Sequence, residues 1–451
     1  MVYANPLGSE KISKLLLKFS VPAIVGMMVN ALYNIVDRIY IGNSPTLGAN
    51  GIAGITIGFP IMIIQLSLGI LFGVGGATLF SMKLGEKKEE DAENALGNAF
   101  TVLVLAGVLY MTLGQIFLSK LMTLFGASPT ILPYSMEYMR VIFFGAVFQI
   151  TSMGMNNFIR ADGNPKLAMY TMFLGAGTNI VLDPIFIYAL DMGMAGAALA
   201  TILSQFFSFV WVVSYFLGNR SRHKLRLKNM KVKPRLIFKI TTLGLPGFSL
   251  QLASSLLNAV LNRNLLLYGG DLAVSGMGII NSLQTLFIMP IIGLNQGVQP
   301  IISFNFGARK FDRVKEAAKL AIKAATITVI LGFSISRLFP EQLISLFNRE
   351  PELLSFGKTA LLSWFLCMPL VGFQVIGANF FQAIGRAKTA MFLTLSRQLI
   401  FLIPAIIVFP RLWGIEGLFY AAPFADFISF ITTAAFFYMG MKTLEKNFKE
   451  S

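Results

Sequence analysis

Long apolar stretches separated by short polar ones dominate the pattern along the chain. A helix needs about 20 apolar residues to cross about 30 Å of hydrocarbon. The sequence therefore predicts twelve membrane-spanning segments, at residues 15–41, 51–82, 94–118, 131–159, 167–190, 194–218, 238–268, 272–304, 317–339, 355–384, 389–410 and 415–440. Several are longer than a straight span requires, so we expect tilted or kinked helices. The predicted fold class is an all-α integral membrane protein.

The two halves of the chain repeat each other at an offset of 222 residues. This offset aligns Gly75 with Gly297 in one block, and Asn157 with Asn379 in a second, separate block. Six spans lie between the copies, and because six is an even number the copies have the same orientation in the membrane. We therefore expect two pseudo-symmetric six-helix lobes, related by an axis along the membrane normal, with a substrate cavity between them.

The repeat also predicts the domain organisation. Near the start of each lobe lies a proline, Pro22 or Pro246, which removes a backbone donor and favours a bend in its helix. We take Pro22 as the helix-bend candidate. The predicted regions are an N-lobe at 1–218, a basic linker at 219–237, a C-lobe at 238–440 and a tail at 441–451.

The composition, 55% hydrophobic and 13% charged, excludes a water-soluble fold. The net charge of +16 could indicate a nucleic-acid partner, but 28 Lys and Arg flank one set of alternate helix ends and only four flank the other. This bias predicts a multi-pass membrane protein with both termini cytoplasmic, and we expect it in the plasma membrane, the cell inner membrane. The linker is then a topology determinant with headgroup contact as a secondary effect. We expect its His223 to be solvated, and we expect no nucleic-acid partner.

Two carboxylates interrupt apolar segments of the first half. Asp37 and Asp183 each cost about 2.5 to 3.5 kcal/mol on insertion scales, and such residues usually mark an ion or proton pathway. Asn179 shares a helix face with Asp183 through its i, i+4 spacing. The second half has Leu261 or Asn262 in the position of Asp37. This asymmetry favours an ion site confined to the N-lobe over a purely structural polar network.

Several short sequences together resemble one family, the multidrug and toxic compound extrusion (MATE) transporters of the MOP flippase superfamily, over essentially the whole chain. The acid pair in the N-lobe resembles the DinF-like branch in particular. The matching stretches are Phe19-Ser-Val-Pro22, Tyr33-Asn-Ile-Val-Asp37, Gly163-Asn-Pro-Lys166, Asn179-Ile-Val-Leu-Asp-Pro184 and Gln299-Pro-Ile-Ile-Ser-Phe-Asn-Phe-Gly307.

The resemblance implies a cation-coupled antiporter that exports organic, often cationic, compounds by alternating access. It assigns ion coupling to Asp37, Asn179 and Asp183, with Tyr138 and Thr201 in a supporting polar network. Two further polar residues of the fourth span, Asn156 and Asn157, are candidates for that network. The coupling ion is expected to be a proton, and sodium is the alternative, with oxygen ligands from Asp37, Asn179, Asp183 and Thr201. No cofactor is expected.

Asp426, in the interior of the span 415–440, is the one C-lobe acid that the sequence places deep in the membrane. It is either a contact for a substrate cation or a locally satisfied structural group.

A flippase for lipid-linked saccharides would share the two lobes, but it should have a more cationic cavity than Arg263 and Arg397 provide. A membrane-embedded prenyl transferase would need clustered Asp residues for magnesium, and these are missing from the sequence. We therefore expect a monomeric transporter of small organic molecules in the lipid bilayer, not an enzyme.

Overall fold

The computed structural model of the protein describes residues 6–42, 44 and 47–449. The two chain ends, whose cytoplasmic location the charge pattern predicts, lie outside the described residues. The described residues are overwhelmingly helical, with no β-strand among them. The spans of the first half are α1 (Ile12–Gly42), α2 (Gly48–Gly85), α3 (Glu89–Leu124), α4 (Leu132–Ala161), α5 (Pro165–Pro184, continued by a π-helical turn over Ile185–Ala189) and α6 (Gly193–Leu217).

The second half contains two very long helical stretches, and each of them holds a break. Pro234–Gly307 would measure about 110 Å as one helix, far more than a bilayer. It breaks at Gly270, where φ is 64°, and the second stretch breaks at Gly414, where φ is 60°. The six spans are α7 (234–269), α8 (271–307), α9 (Phe311–Leu338), α10 (Pro351–Trp364 and Met368–Ala383, bent by 49°), α11 (387–412) and α12 (415–449).

The internal repeat is also present in the backbone. The turn after α4 has Gly163 at φ 97°, and the turn after α10 has Gly385, 222 residues later, at φ 80°. Lys87 and Arg309, separated by the same 222 residues, both adopt a positive φ, at 60° and 56°. Positive φ is uncommon for residues other than glycine. Two such turns at one offset therefore confirm the pseudo-symmetric repeat of six helices.

The chain divides into two compact units. Among the described residues, one consists of Pro6 and Val25–Phe248, and the other consists of Leu7–Ile24 and residues 249–449. The first part of α1 thus belongs to the unit that contains α8 to α12, and the first part of α7 belongs to the unit that contains α2 to α6. Both divisions fall two residues after a proline, Pro22 in α1 and Pro246 in α7.

Each of these exchanged half-helices crosses a helix of its unit at a glycine. In the first unit, a Cβ atom on Gly75 of α2 would lie 2.1 Å from the carbonyl oxygen of Ile240 in α7. In the second unit, a Cβ atom on Gly297 of α8 would lie 2.6 Å from the Cα atom of Ser20 in α1. Only glycine permits such close backbone approach. The repeat therefore preserves the same helix crossing in both units.

The residues between α6 and α7 pack against the first unit and include a short 3₁₀ turn, Leu227–Met230. The prediction that His223 is solvated is wrong, since its side chain is buried and its Nδ1 lies 2.6 Å from Oδ1 of Asp162. Asp162 follows directly after α4 and is also buried. A buried carboxylate needs polar partners, and the imidazole is one of them.

Candidate ion-binding site

A buried polar cluster lies within the first unit, where α1, α4, α5 and α6 contribute side chains. Its centre is formed by Asp37 of α1, which is 9% exposed, and Asp183 of α5, which is fully buried. The two carboxyl groups lie close enough to interact electrostatically. Two carboxyl groups can share a hydrogen bond only if one of them carries a proton, because an ionised carboxylate is an acceptor only. The geometry therefore suits a pair of acids that holds a proton.

Two neutral side chains extend the cluster from the acids. The amide Nδ2 of Asn179 donates to Oδ1 of Asp183 at 3.2 Å, as the i, i+4 spacing on α5 predicts, and it also approaches Oγ1 of Thr201 at 3.4 Å. The Thr201 hydroxyl donates to the carbonyl of Ala197 one turn earlier in α6 at 3.1 Å. The structure thus places Asn179 and Thr201 together with the acids.

Two tyrosines complete the cluster. Tyr138 of α4 lies near Thr201 and near both Asp37 and Asp183. Tyr33 of α1 lies near the same two acids, and the sequence analysis did not select it as a site residue. Its spacing of four residues from Asp37 was the available signal, because i and i+4 share a helix face. Four helices therefore supply six polar side chains to one site.

Local sequence explains how α5 presents Asp183. Pro184 follows it immediately and lacks an N–H group, so the regular hydrogen-bond ladder cannot continue through this position. The helix continues as the π-helical turn Ile185–Ala189, and Leu190 donates to the carbonyl of Ile185 at 2.9 Å. Such π-bulges are frequent at functional sites. Beside the cluster, Tyr138 joins a buried apolar core with Ile187 and Met194, which keeps water from this side.

The cluster retains capacity for a cation. Oδ1 of Asn179 and Oδ2 of Asp183 are buried and accept no hydrogen bond from any described residue. Together with Asp37 and the Thr201 hydroxyl they form an all-oxygen set without a fixed positive charge among the named partners. Hard cations such as Na⁺ bind several oxygen ligands at once. A proton needs only one carboxylate oxygen and one acceptor, so the same site can also hold a proton. The described residues contain no group of three or more His, Cys, Asp or Glu side chains that could hold a metal ion.

The structure places the two α4 asparagines elsewhere. Asn157 accepts a hydrogen bond from Nη1 of Arg160 at 3.1 Å, and Asn156, with its amide turned to satisfy both atoms, accepts from Nη2 of Arg160 at 3.3 Å. These residues lie near the opposite end of α4, about 27 Å along the helix from Tyr138. Their role is local to Arg160, a buried guanidinium that lacks a carboxylate among its described contacts.

Asp426 of α12 lies in the second unit and has a cationic partner. Its Oδ1 accepts a hydrogen bond from Nε of Arg397 at 2.7 Å, and its backbone carbonyl accepts from the amide of Gln374. The acid is 3% exposed and lines a small cavity with Trp364 and Met368. The ion pair satisfies the carboxylate inside the protein, as the structural interpretation of this residue requires.

Pro22 also lies outside the polar cluster, within the first part of α1.

Comparison with known proteins gives consistent results. The family model described as MatE matches residues 22–185 and 246–407, one match in each half of the chain. The chain is 26% identical to the multidrug export protein MepA of Staphylococcus haemolyticus, over 92% of this chain and 91% of that protein. Among solved structures, the MATE multidrug transporter DinF-BH is 37% identical, with a TM-score of 0.89 over 96% of each chain. A MATE chain in the bent conformation is 25% identical, with a TM-score of 0.93 over the full length of both chains.

The family matches begin at Pro22 and Pro246, the prolines near which the two units divide α1 and α7, and each extends into the fifth span of its lobe. The family pattern therefore covers most of the chain. The two-lobe, twelve-span architecture and the short sequences in α1, α5 and α8 are consistent with it. The chain therefore belongs to the MatE family of multidrug and toxic compound extrusion transporters and is a membrane transporter, not an enzyme.

Proposed function

We propose that the protein exports organic, mostly cationic, compounds in exchange for protons by alternating access. The observation that carries this proposal is the pair of buried acids, Asp37 and Asp183, whose named partners are all neutral or acidic. A site of this kind gains or loses a proton when its access to water changes. The multidrug export described for MepA, and the name of DinF-BH as a multidrug transporter, support an organic substrate.

The exchange uses the two acids as one unit. With the site open to the outside, one carboxyl group takes up a proton and the pair shares it. With the site open to the cytoplasm, the pair loses the proton, and the resulting negative charge attracts a cationic substrate. Protonation favours bending of α1 near Pro22, which lies fifteen residues before Asp37 on the same helix. Bending displaces the substrate outward.

Magnitudes limit the coupling. A potential of 100 mV contributes about 2.3 kcal/mol for each charge that crosses the membrane. A tenfold substrate gradient requires about 1.4 kcal/mol. One proton exchanged for one monovalent cation moves no net charge, so only the proton concentration gradient drives that exchange. A second proton per cycle would add the membrane potential.

The charge pattern supports the orientation that this mechanism needs. The excess of Lys and Arg at alternate helix ends assigns the segment between α6 and α7, and both chain ends, to the cytoplasm. The protein then resides in the plasma membrane. A monomer is sufficient, since one chain contains both lobes and the complete acid cluster.

Sodium is the second candidate for the coupling ion. The unoccupied acceptor atoms Oδ1 of Asn179 and Oδ2 of Asp183, with the Thr201 hydroxyl, favour it. A flippase for lipid-linked saccharides has less support, because it needs free cationic groups to bind a pyrophosphate, and Arg397 is paired with Asp426. The acid pair of the N-lobe has no evident use in such a flippase.

The test is efflux of a fluorescent organic cation from proteoliposomes in which pH and sodium gradients are imposed independently. We expect a pH gradient alone, with the acidic side on the side to which the dye is exported, to drive export. We expect a sodium gradient at constant pH to drive no export. Export driven by sodium alone would replace the proton with sodium in the proposal. Export driven by neither gradient would contradict ion coupling altogether.

A further inference from the structure

The segment between α6 and α7, residues 219–233, is held in one conformation on the first unit, and we call it the strap. It contains seven Lys and Arg residues and no acid. A segment of this composition in isolation would be disordered, because it cannot bury enough apolar surface to offset the entropy of ordering. Here Asp162, the residue after α4, and two side chains of α3 bind its backbone at two places.

The first attachment is Asp162, the buried residue after α4. Its carboxylate accepts hydrogen bonds from the backbone N–H of Arg222 at 3.0 Å and from the hydroxyl of Tyr215 at 2.5 Å, and it contacts His223 at 2.6 Å. The imidazole also packs edge-on against Phe80, with ring centroids 5.3 Å apart. One carboxylate thereby fixes two consecutive strap residues.

The second attachment is on α3. The amide of Asn98 donates to the carbonyl of Asn229 at 3.0 Å and accepts from the backbone N–H of Lys233 at 2.8 Å. The hydroxyl of Thr101 donates to the carbonyl of Met230 at 3.0 Å. A Cβ atom on Gly97 would lie 2.4 Å from the carbonyl oxygen of Asn229, so the strap touches the helix backbone. The strap is therefore docked over its whole length.

This fixed backbone sorts the side chains into two sets. The inward set is uncharged or imidazole-bearing and is buried; it consists of Ser221, His223, Leu225 and Asn229. The outward set is basic and exposed; it consists of Arg220, Arg222, Arg226, Lys228, Lys231 and Lys233. Apolar side chains lie among these cations, with Leu227 84% exposed, Val232 51% exposed and Phe238, in the first turns of α7, 73% exposed.

The outward cations keep their charge available. One of them, Arg220, lies over the ring of Trp211 at 5.9 Å. The half-buried Lys224, which is outside this set, donates to the side chain of Asn219 at 3.0 Å. Within the described part of the chain, no salt bridge joins an outward cation of the strap to an acid. The acids nearest to the strap are otherwise engaged, since Asp162 binds His223 and Glu93 accepts from the amide of Asn229.

We propose that the strap is a preformed docking surface for anionic phospholipid headgroups of the adjacent leaflet. It starts two residues after α6 ends and stops where α7 begins, so it lies at the membrane boundary. Exposed cations interleaved with exposed leucine, valine and phenylalanine match a surface of phosphodiesters above acyl chains. Each cation near such a surface contributes about 1 kcal/mol, which is roughly a fivefold change in affinity. This proposal depends on the proposed orientation of the protein only in one respect, namely which leaflet supplies the headgroups.

The experiment measures binding of fluorescent phosphatidylglycerol to the full-length protein in mixed micelles with zwitterionic lipid. The test variant combines Arg226→Gln, Lys228→Gln and Lys231→Gln. The matched control combines Arg309→Gln, Lys319→Gln and Lys323→Gln, which removes the same charge from exposed positions of the second unit. We expect the strap variant to lose up to roughly 100-fold in affinity, by the fivefold loss per cation, and the control to lose much less.

Equal losses in the two variants would overturn the proposal, since binding would then follow net charge alone. Wild-type affinity in the strap variant would also overturn it. Competition by inorganic phosphate or by a short DNA duplex at the same phosphate concentration would assign the strap to a soluble anion instead. Asp37→Asn is expected to leave lipid binding unchanged, so this result is independent of the ion-coupling proposal. A fourth variant, Leu227→Ser, should weaken binding without altering the charge.

Discussion

The two units each bury acidic side chains in their membrane-spanning helices, but they satisfy them differently. In the first unit, Asp37 and Asp183 face each other and a neutral amide from Asn179. In the second unit, Asp426 faces the guanidinium of Arg397 at 2.7 Å. A buried ion pair is neutral in place, whereas two facing acids must bind a cation to become neutral. The repeated fold therefore contains one acid pair that can gain or lose a proton, in the first unit, and one acid whose charge is neutralised by an arginine, in the second unit.

This comparison explains how a duplicated scaffold can be asymmetric in function. The repeat preserves the turns, as at Gly163 and Gly385, and the helix crossings, as at Gly75 and Gly297. These features depend on backbone geometry, which both units need. The polar side chains depend on chemistry, and only the first unit keeps the acid pair. If an ion binds in one unit alone, the protein has a single ion site, and occupancy of that site can be linked to which side of the membrane the substrate cavity faces.

The largest expected difference lies in transport. Asp37→Asn and Asp183→Asn each remove a group that can ionise, so we expect gradient-driven efflux to fall to the level of protein-free vesicles. Both variants should fold, because an amide can use the neutral partners of the cluster. Dye efflux from proteoliposomes checks this. Near-normal efflux by both variants would contradict the assignment of the site.

The ion pair of the second unit should show the opposite pattern. Asp426→Asn leaves the partly buried Arg397 without its anion. Breaking a fully buried pair costs about 3–5 kcal/mol, and because Arg397 is 22% exposed we expect a smaller loss here. We expect a lower thermal unfolding temperature in detergent, while the protein that remains folded still exports dye. The double variant Arg397→Met with Asp426→Leu should recover much of the stability. Loss of coupling with unchanged stability would instead make Asp426 part of the transport site.

The glycine crossings offer a test of what the two units share. Gly75→Ala and Gly297→Ala each insert a methyl group against backbone atoms, which we expect to cost about 1–3 kcal/mol by overpacking. Gly278→Ala on α8 is the matched control, because a Cβ atom there meets nothing within 4 Å. Thermal unfolding measures all three. Similar losses of stability at the two crossings would support an equivalent structural role in the two units. No loss of stability at one of them would show that the two crossings are not equivalent.

The smallest expected effect concerns a tyrosine at the edge of the acid cluster. Tyr138→Phe removes the hydroxyl group near Thr201 and the two acids and keeps the ring in its apolar surroundings, at a cost of about 1 kcal/mol. We expect slower efflux that still responds to a pH gradient. Tyr110→Phe, which removes a hydrogen bond to the carbonyl of Ile61, is the control in the same unit. A complete loss of pH response in Tyr138→Phe would show that the tyrosine itself handles the proton.

The sequence was sufficient for features that depend on local pattern. Apolar length predicted twelve spans. The acids Asp37 and Asp183 were selected because few side chains are so unfavourable in hydrocarbon, and the structure brings them together. The i, i+4 spacing of Asn179 and Asp183 matches a hydrogen bond in the structure. Each of these inferences needs only one helix or one repeat offset.

Features that depend on how helices face each other could not be predicted. Asn156 and Asn157 looked like candidates for the acid cluster, but the position of Arg160 on their own helix determines their contacts. The partner of Asp426 is 29 residues away on another helix, and the burial of His223 requires the turn after α4. The division of α1 near Pro22 likewise arises from packing in three dimensions, which composition does not encode.

Proton release on substrate binding tests the central claim most directly. A cationic dye is mixed with detergent-solubilised protein in weakly buffered solution, and a pH indicator records the protons released for each dye bound. We predict release by the wild type and by Asp426→Asn, and none by the double variant Asp37→Asn with Asp183→Asn. Release that persists in the double variant, or that disappears in Asp426→Asn, would contradict an exchange centre formed by the acid pair of the first unit.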